Sequence, residues 1–182
     1  MMEFVKPIVD IGTIQVLKAA LKKHSARDYL LFVFAINTGL RISEMLKIEV
    51  NDVLDQNADP VRFLRIGQED IFINDTIHEA LHYYFSKAAP AGLTYLFQSS
   101  RLEKPITRQQ AYRIMTQAAK EAGVEGTIGP HTLRKTFGYH AYQKGIAVSL
   151  IQKRFHHASP AETRKYIGIE KNQVIPKVDV NL

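Results

Sequence analysis

The chain has no cysteine, no long hydrophobic run and no recognisable secretion signal. The absence of cysteine excludes disulfide bonds and thiolate zinc sites. The longest apolar run, residues 29–36, is far shorter than the roughly 20 residues that a membrane span needs. Residues 1–10 lack the apolar core of a signal peptide. We therefore expect a soluble, cytoplasmic protein without membrane contact, whose residues 1–182 form one domain with a full core.

Acidic side chains are scarce in the last third of the chain. Basic and acidic side chains cancel up to residue 128, so the whole formal charge of +6 comes from residues 129–182. Such a surface is typical of proteins that bind a polyanion. A lysine-rich face that only contacts solvent explains the charge equally well.

The hydrophobic periodicity predicts a mainly α fold with a small antiparallel β-sheet, an α+β class. Ser25 is expected to cap the buried helix that follows it, and Gly39 to end that helix in the left-handed conformation. Thr107 and Gln110 form a predicted capping box. The expected helices are 13–24, 29–36, 41–46, 75–88, 107–122, 131–144, 147–155 and a last turn or two at 163–166. The expected strands are 48–53, 61–66 and 71–74, the last two joined by a turn at 67–70.

Two short motifs suggest a phosphate-binding site. His131 and Arg134 are three positions apart, so they share one face of the first turn of a helix, where free backbone N–H groups favour an anion. Arg41 follows a sharp turn and precedes Glu44, a carboxylate that can orient its guanidinium. Each motif alone is more often an ordinary surface feature.

The adjacent pair His156 and His157 raises the question of a metal site. Neighbouring helical residues point about 100° apart, so one ion rarely binds both. The sequence also lacks the His-Glu-x-x-His spacing of zinc enzymes. We expect no metal and no other cofactor.

Taken in order, three segments resemble the catalytic boxes of the tyrosine recombinases, or phage integrases. They are TGLRISE at 38–44, HTLRKTF at 131–137, and His157 with Tyr166 nine positions later. The resemblance covers nearly the whole chain. It implies an integrase-like catalytic domain that cuts and rejoins double-stranded DNA through a 3′-phosphotyrosyl intermediate.

The resemblance also assigns roles to single residues. Tyr166 would be the nucleophile, Arg41 and Arg134 would clamp the scissile phosphate, and His131 and His157 would donate hydrogen bonds and assist proton transfer. The residues that could support this chemistry are Glu44, Lys135, Gln68 and Arg65. The basic residues expected to contact DNA are Arg164, Lys165, Lys153 and Arg154.

The sequence departs from the family pattern in three places. The hairpin turn, where the family has a lysine that protonates the leaving oxygen, has Gln68 instead, so Arg65 or a lysine from elsewhere would have to substitute. His156 stands where the family has glycine. The family's N-terminal DNA-binding domain is expected to be absent, and the tail 169–182 could pack on a neighbouring copy or fold back on its own chain. The alternative to an active recombinase is a weak or inactive DNA-binding or regulatory protein on the same fold.

Overall fold

The structure is a computed structural model that describes residues 5–169. The described helices are α1 Ile11–His24, α2 Ala26–Thr38, α3 Ile42–Met45, α4 Val50–Val53, α5 Asp75–Lys87, α6 Arg108–Glu121, α7 Pro130–Gln143, α8 Val148–Phe155 and α9 Pro160–Ile167. A 3-10 turn occupies Pro90–Gly92, and the strands β1 Phe63–Ile66 and β2 Glu69–Phe72 form one antiparallel hairpin. The predicted α+β class is confirmed.

Helix α2 is the centre of the main hydrophobic core. Its residues 29–36 are an apolar run, of which residues 30–35 are buried. It packs against α1, α5 and α7, which surround it. As predicted, the Ser25 side chain accepts the backbone N–H of Asp28 at the start of α2, and Gly39 ends the helix with a φ of 65°. Within residues 5–169 no helix has the length and apolar character required to cross a membrane.

A second, smaller core holds the last two helices against α7. It is formed by Ile151, Phe155, Ile167 and Ile169, with Phe137 and Tyr166 packed on it. The helices approach closely because α7 has a glycine there: a β-carbon on Gly138 would lie 2.5 Å from Cγ2 of Ile167 and 2.7 Å from Cε2 of Phe155. This packing places α8 and α9 beside the middle and C-terminal half of α7.

The predicted strand at 48–53 is wrong. Its second half is the helix α4, in which the Asp52 carboxylate accepts the backbone N–H of Glu49 at 2.8 Å. This side-chain hydrogen bond closes a helical turn in a segment whose apolar residues alone favour a strand. Several boundaries also differ from expectation, among them those of the hairpin turn and the last helix. The hairpin turn is only Gly67 and Gln68, and the last helix begins at Pro160, capped by Ser159. The predicted role of the tail concerns residues that lie mostly outside the described range.

Gly39 ends α2 and lies against Phe137 of α7, and we expect Gly39→Ala to be strongly destabilising. Its φ of 65° disfavours a side chain, and a β-carbon would overlap Cδ1 of Phe137 on α7. Left-handed strain and overpacking together predict a loss of about 2–5 kcal/mol in the free energy of unfolding, measured in urea. Gly67→Ala is the matched control, because Gly67 has a φ of 58° but open space around it. It should lose only about 1–2 kcal/mol; equal losses for both variants would contradict the contact with Phe137.

Candidate active site

Arg134 is an arginine buried in the second turn of α7, with a relative exposure of 7%. Its Nη2 donates a hydrogen bond to the carbonyl oxygen of Phe155 at 3.0 Å, and its Cζ lies 4.6 Å from the centroid of the Phe155 ring. Burial lowers the pKa of Arg134, although an arginine stays charged in proteins. The guanidinium is therefore a fixed positive charge, held at the end of α8.

Arg41 reaches the same region from the turn before α3. Its backbone N–H donates to Oε2 of Glu44 at 2.6 Å, and its Nη1 lies 3.4 Å from Oε1 of the same carboxylate. The side chain remains half exposed. The Arg41 charge lowers the pKa of Arg134 and acts to lower that of Tyr166. Glu44 thus orients an arginine that stays open to a ligand.

Tyr166 lies on α9 within a cluster of rings. Its ring packs edge-on against Phe155 at 5.3 Å and His157 at 4.9 Å between centroids. Burial raises the pKa of the Tyr166 phenol, whereas the charge of Arg134, a hydrogen bond from Arg134 and the charge of Arg41 act to lower it. Lys135 lies beside the ring, with Nζ 5.1 Å from its centroid. The phenol is thus protonated but surrounded by cations that would stabilise its anion.

His157 is held in place by a buried threonine on α9. Its Nδ1 lies 3.1 Å from Oγ1 of Thr163, and the Thr163 hydroxyl donates to the carbonyl oxygen of Ser159. That hydroxyl can therefore accept the Nδ1–H of His157, which leaves the lone pair on Nε2. Burial lowers the pKa of His157, and the charges of Arg134 and Arg41 lower it further against the opposing effect of Glu162. His157 is a neutral imidazole beside Tyr166.

His131 is placed differently. It is exposed in the first turn of α7, on the same helix as Arg134. Within residues 5–169, no hydrogen bond, ion pair or ring contact joins it to the cluster of Arg41, Arg134, His157 and Tyr166.

The hairpin contacts the end of α8 through a residue without a predicted role. Nε2 of His156 lies 3.7 Å from Oε1 of Glu69, the first residue of β2. Gln68 is exposed in the turn, and Arg65 is engaged within the hairpin, where it donates to the carbonyl oxygen of Gly67 and to Asp70. Phe155, Thr163 and Glu69 were also missed. The sequence indicated His156 only by placing a histidine where the family has glycine. It contained no motif that indicated Phe155, Thr163 or Glu69.

The four basic residues expected to contact DNA occupy α8 and α9. Lys153 and Lys165 are exposed. Arg164 and Lys165 line a cleft of about 700 Å³ together with Lys135, Tyr139 and Tyr166. Arg154 is half-buried, and its Nη1 is enclosed without a hydrogen-bond partner among the described residues.

Comparison with known proteins identifies the class and the family. The profile of the Phage integrase family matches residues 12–173. The chain is 41% identical over 174 residues to the Bacillus subtilis protein "Probable integrase/recombinase YoeC", covering 94% of this chain and 93% of that protein. It is 27% identical over 158 residues to the tyrosine recombinase XerD of Staphylococcus haemolyticus, covering 84% of this chain but 54% of XerD. The chain belongs to the phage integrase family, and the predicted membership is confirmed.

Solved structures show the same fold. The chain superposes on the XerA recombinase with a TM-score of 0.76 at 23% identity, covering 91% of this chain and 60% of that one. A Tn1549 transposon integrase, solved in complex with circular intermediate DNA, gives a TM-score of 0.73 at 17% identity over 91% of this chain and 61% of that one. This chain therefore spans little more than half the length of XerD and of these two structures.

Proposed function

We propose that the protein is a site-specific DNA recombinase that breaks and rejoins DNA through a 3′-phosphotyrosyl bond on Tyr166. Membership of the integrase family supports recombination in general. The observation that carries the specific proposal is the environment of the Tyr166 phenol. The His157 ring packs against the Tyr166 ring, and the charges of Arg134 and Arg41 act to lower the pKa of the phenol. A phenol that attacks a phosphodiester requires such a base and such cations. DNA is the proposed partner because a structural neighbour is a DNA complex and the C-terminal third is basic.

The arginines stabilise the charge that develops on the phosphate. Attack on a phosphodiester places negative charge on the oxygens that do not bridge, and preorganised donors there are the largest source of rate enhancement in many enzymes. Arg134 is fixed by its contacts with Phe155, whereas Arg41 is held by Glu44 at the exposed side of the site. His131, exposed on the first turn of α7, is proposed to contact the bound phosphate as a hydrogen-bond donor.

Proton removal from the phenol is assigned to His157. Its lowered pKa keeps it neutral, and its bond to Thr163 leaves the Nε2 lone pair available. The His157 ring lies beside that of Tyr166. As the phenolic oxygen bonds to phosphorus, its proton passes to the imidazole, so an unprotonated histidine is required.

A trapping experiment tests this function. The protein is incubated with a pool of labelled duplexes that carry a nick and randomised arms, so that cleavage beside the nick releases a short fragment and leaves the protein attached. We expect a covalent adduct that survives a denaturing gel and can be sequenced to recover the site. Retention of DNA in a native gel without any adduct would contradict the proposal and favour the alternative, a DNA-binding protein without activity on the same fold.

The rate of adduct formation should fall on the acid side of neutrality. The pKa of His157 lies below its ordinary value, near ~6.5, because of burial and of the neighbouring arginines. Lowering the pH through that pKa protonates the base, so the single-turnover rate should drop as the pH falls. His157→Gln should be slower by about 10²- to 10⁴-fold and should lack this acid limb. An unchanged acid limb in the variant would show that another group titrates.

Binding to DNA should weaken with salt in proportion to the number of phosphate contacts. The logarithm of the binding constant falls linearly with the logarithm of salt concentration, by about 0.9 for each contact with duplex DNA. Lys153→Ala and Lys165→Ala remove exposed charges beside the site and should each lower the slope by about 1. Lys120→Ala, an exposed lysine on α6, is the control and should leave the slope unchanged. Equal slopes for all three variants would contradict the proposed DNA-facing surface.

A further inference from the structure

His156 has an unfavourable backbone conformation, and its side chain is directed at the hairpin. It follows α8 with φ 55° and ψ 39°, a left-handed conformation that costs a residue with a β-carbon about 1–2 kcal/mol and glycine almost nothing. The side chain is half exposed, and its Nε2 faces the Glu69 carboxylate across a distance of 3.7 Å. The imidazole thus occupies the space between the end of α8 and the hairpin turn.

The proposed reaction also requires a proton donor for the leaving O5′, and no group has been given this role so far, since His131 is assigned to the bound phosphate. When the phosphorus–O5′ bond breaks, the electron pair goes to O5′, and a positioned acid speeds such a step by about 10²- to 10⁴-fold. Gln68 has no ionisable proton. Arg65 bonds to Gly67 and Asp70, and a guanidinium does not deprotonate in proteins. Lys135 lies beside the nucleophile, with Nζ near the Tyr166 ring and 2.7 Å from the carbonyl oxygen of Val5.

We propose that His156 is the proton donor for the leaving O5′, an inference that rests on the proposed function. It directly precedes His157, and its charge acts on the pKa of His157, so it adjoins the group that receives the phenol proton. It does not line the cleft beside Tyr166; it faces Glu69 instead. In an in-line displacement, the attacking and leaving oxygens lie on opposite sides of the phosphorus. One histidine, His157, therefore serves the attacking Tyr166 oxygen, and the other, His156, serves the leaving O5′.

Glu69 is the acidic partner of this donor. Its carboxylate on β2 lies 3.7 Å from Nε2 of the imidazole, within the range of an ion pair with a protonated histidine. The basic side chains of the preceding turn are Lys153 and Arg154 on α8. The imidazole is half exposed between the hairpin carboxylate and the end of α8, and in the proposed step it acts in its protonated form.

The two histidines account for both proton transfers of the cleavage step. The Tyr166 oxygen bonds to phosphorus as its proton moves to His157. The phosphorus–O5′ bond breaks, and O5′ takes a proton from the His156 imidazolium to leave as a hydroxyl. Rejoining is the reverse: neutral His156 removes the proton from the incoming 5′-hydroxyl, and protonated His157 returns a proton to the tyrosine.

A sulfur-substituted DNA tests this assignment. The site recovered by trapping is synthesised with either O5′ or sulfur at the scissile position; a thiolate leaves without needing a proton. His156→Gln should form the adduct about 10²- to 10⁴-fold more slowly than the wild type on ordinary DNA but close to the wild-type rate on the sulfur DNA. His156→Gly, which relaxes the backbone, should show the same pattern, whereas His82→Gln, an exposed histidine on α5, should match the wild type on both.

Several results would overturn the inference. Wild-type rates for His156→Gln on ordinary DNA would show that the proton comes from elsewhere, and equal slowing on both DNAs would show a structural effect. A wild-type protein that cleaves only the sulfur DNA would lack an acid altogether while keeping Tyr166 as nucleophile. Failure of the proposed function itself is distinguishable, since the wild type would then form no adduct with either DNA.

Discussion

Tyr166→Phe should form no covalent adduct with nicked DNA, whereas Tyr139→Phe should form it at the wild-type rate. The substitution removes only the hydroxyl. The ring contacts with Phe155 and His157 do not involve the oxygen and should remain. Tyr139 is a matched control: it is a second, partly buried tyrosine that lines the same cleft. Without the phenol oxygen no bond to phosphorus can form, so the expected loss is complete.

Both variants should unfold at nearly the wild-type urea concentration. This control separates loss of chemistry from loss of fold. An adduct with Tyr166→Phe at any rate above background would mean that another residue is the nucleophile.

Arg134→Lys should slow adduct formation by about 10²- to 10³-fold, the typical effect of removing one preorganised donor to a developing anion. Lysine keeps the charge but has no planar fork, so it cannot bond the Phe155 carbonyl and face a phosphate at the same time. Arg113→Lys, at an exposed position on α6, is the control and should leave the rate unchanged.

The DNA affinity of Arg134→Lys distinguishes a loss of transition-state stabilisation from a loss of ground-state binding. Arg134→Lys should change binding much less than rate, because the lost interaction strengthens as charge develops on the phosphate. Parallel losses in affinity and rate would instead assign Arg134 to ground-state binding.

Local signals in the sequence were sufficient to predict most of the fold. Ser25 and Gly39 mark the two ends of α2 because capping depends on side chains within a few positions. The failure at 48–53 is also local: the Asp52 carboxylate bonds a backbone N–H and turns a strand-like pattern into α4. Periodicity counts apolar residues and does not register such a bond.

The geometry of the candidate site depends on contacts between residues that are distant in sequence. The motifs indicated Arg41, Arg134, His157 and Tyr166, but their approach depends on packing. Phe137 fills the space that Gly39 leaves open, and α8 and α9 close on α7 at Gly138. The pairing of His156 with Glu69 joins a helix end to a hairpin, and no short motif encodes that contact.

The most direct measurement is to map the residue that carries DNA. The trapped adduct is digested with nuclease and trypsin, and the peptide that bears the remaining nucleotide is sequenced by mass spectrometry. The account predicts that the nucleotide is attached to Tyr166, the first residue after the trypsin site at Lys165. A nucleotide attached to Tyr139 or to any residue other than Tyr166 would contradict it.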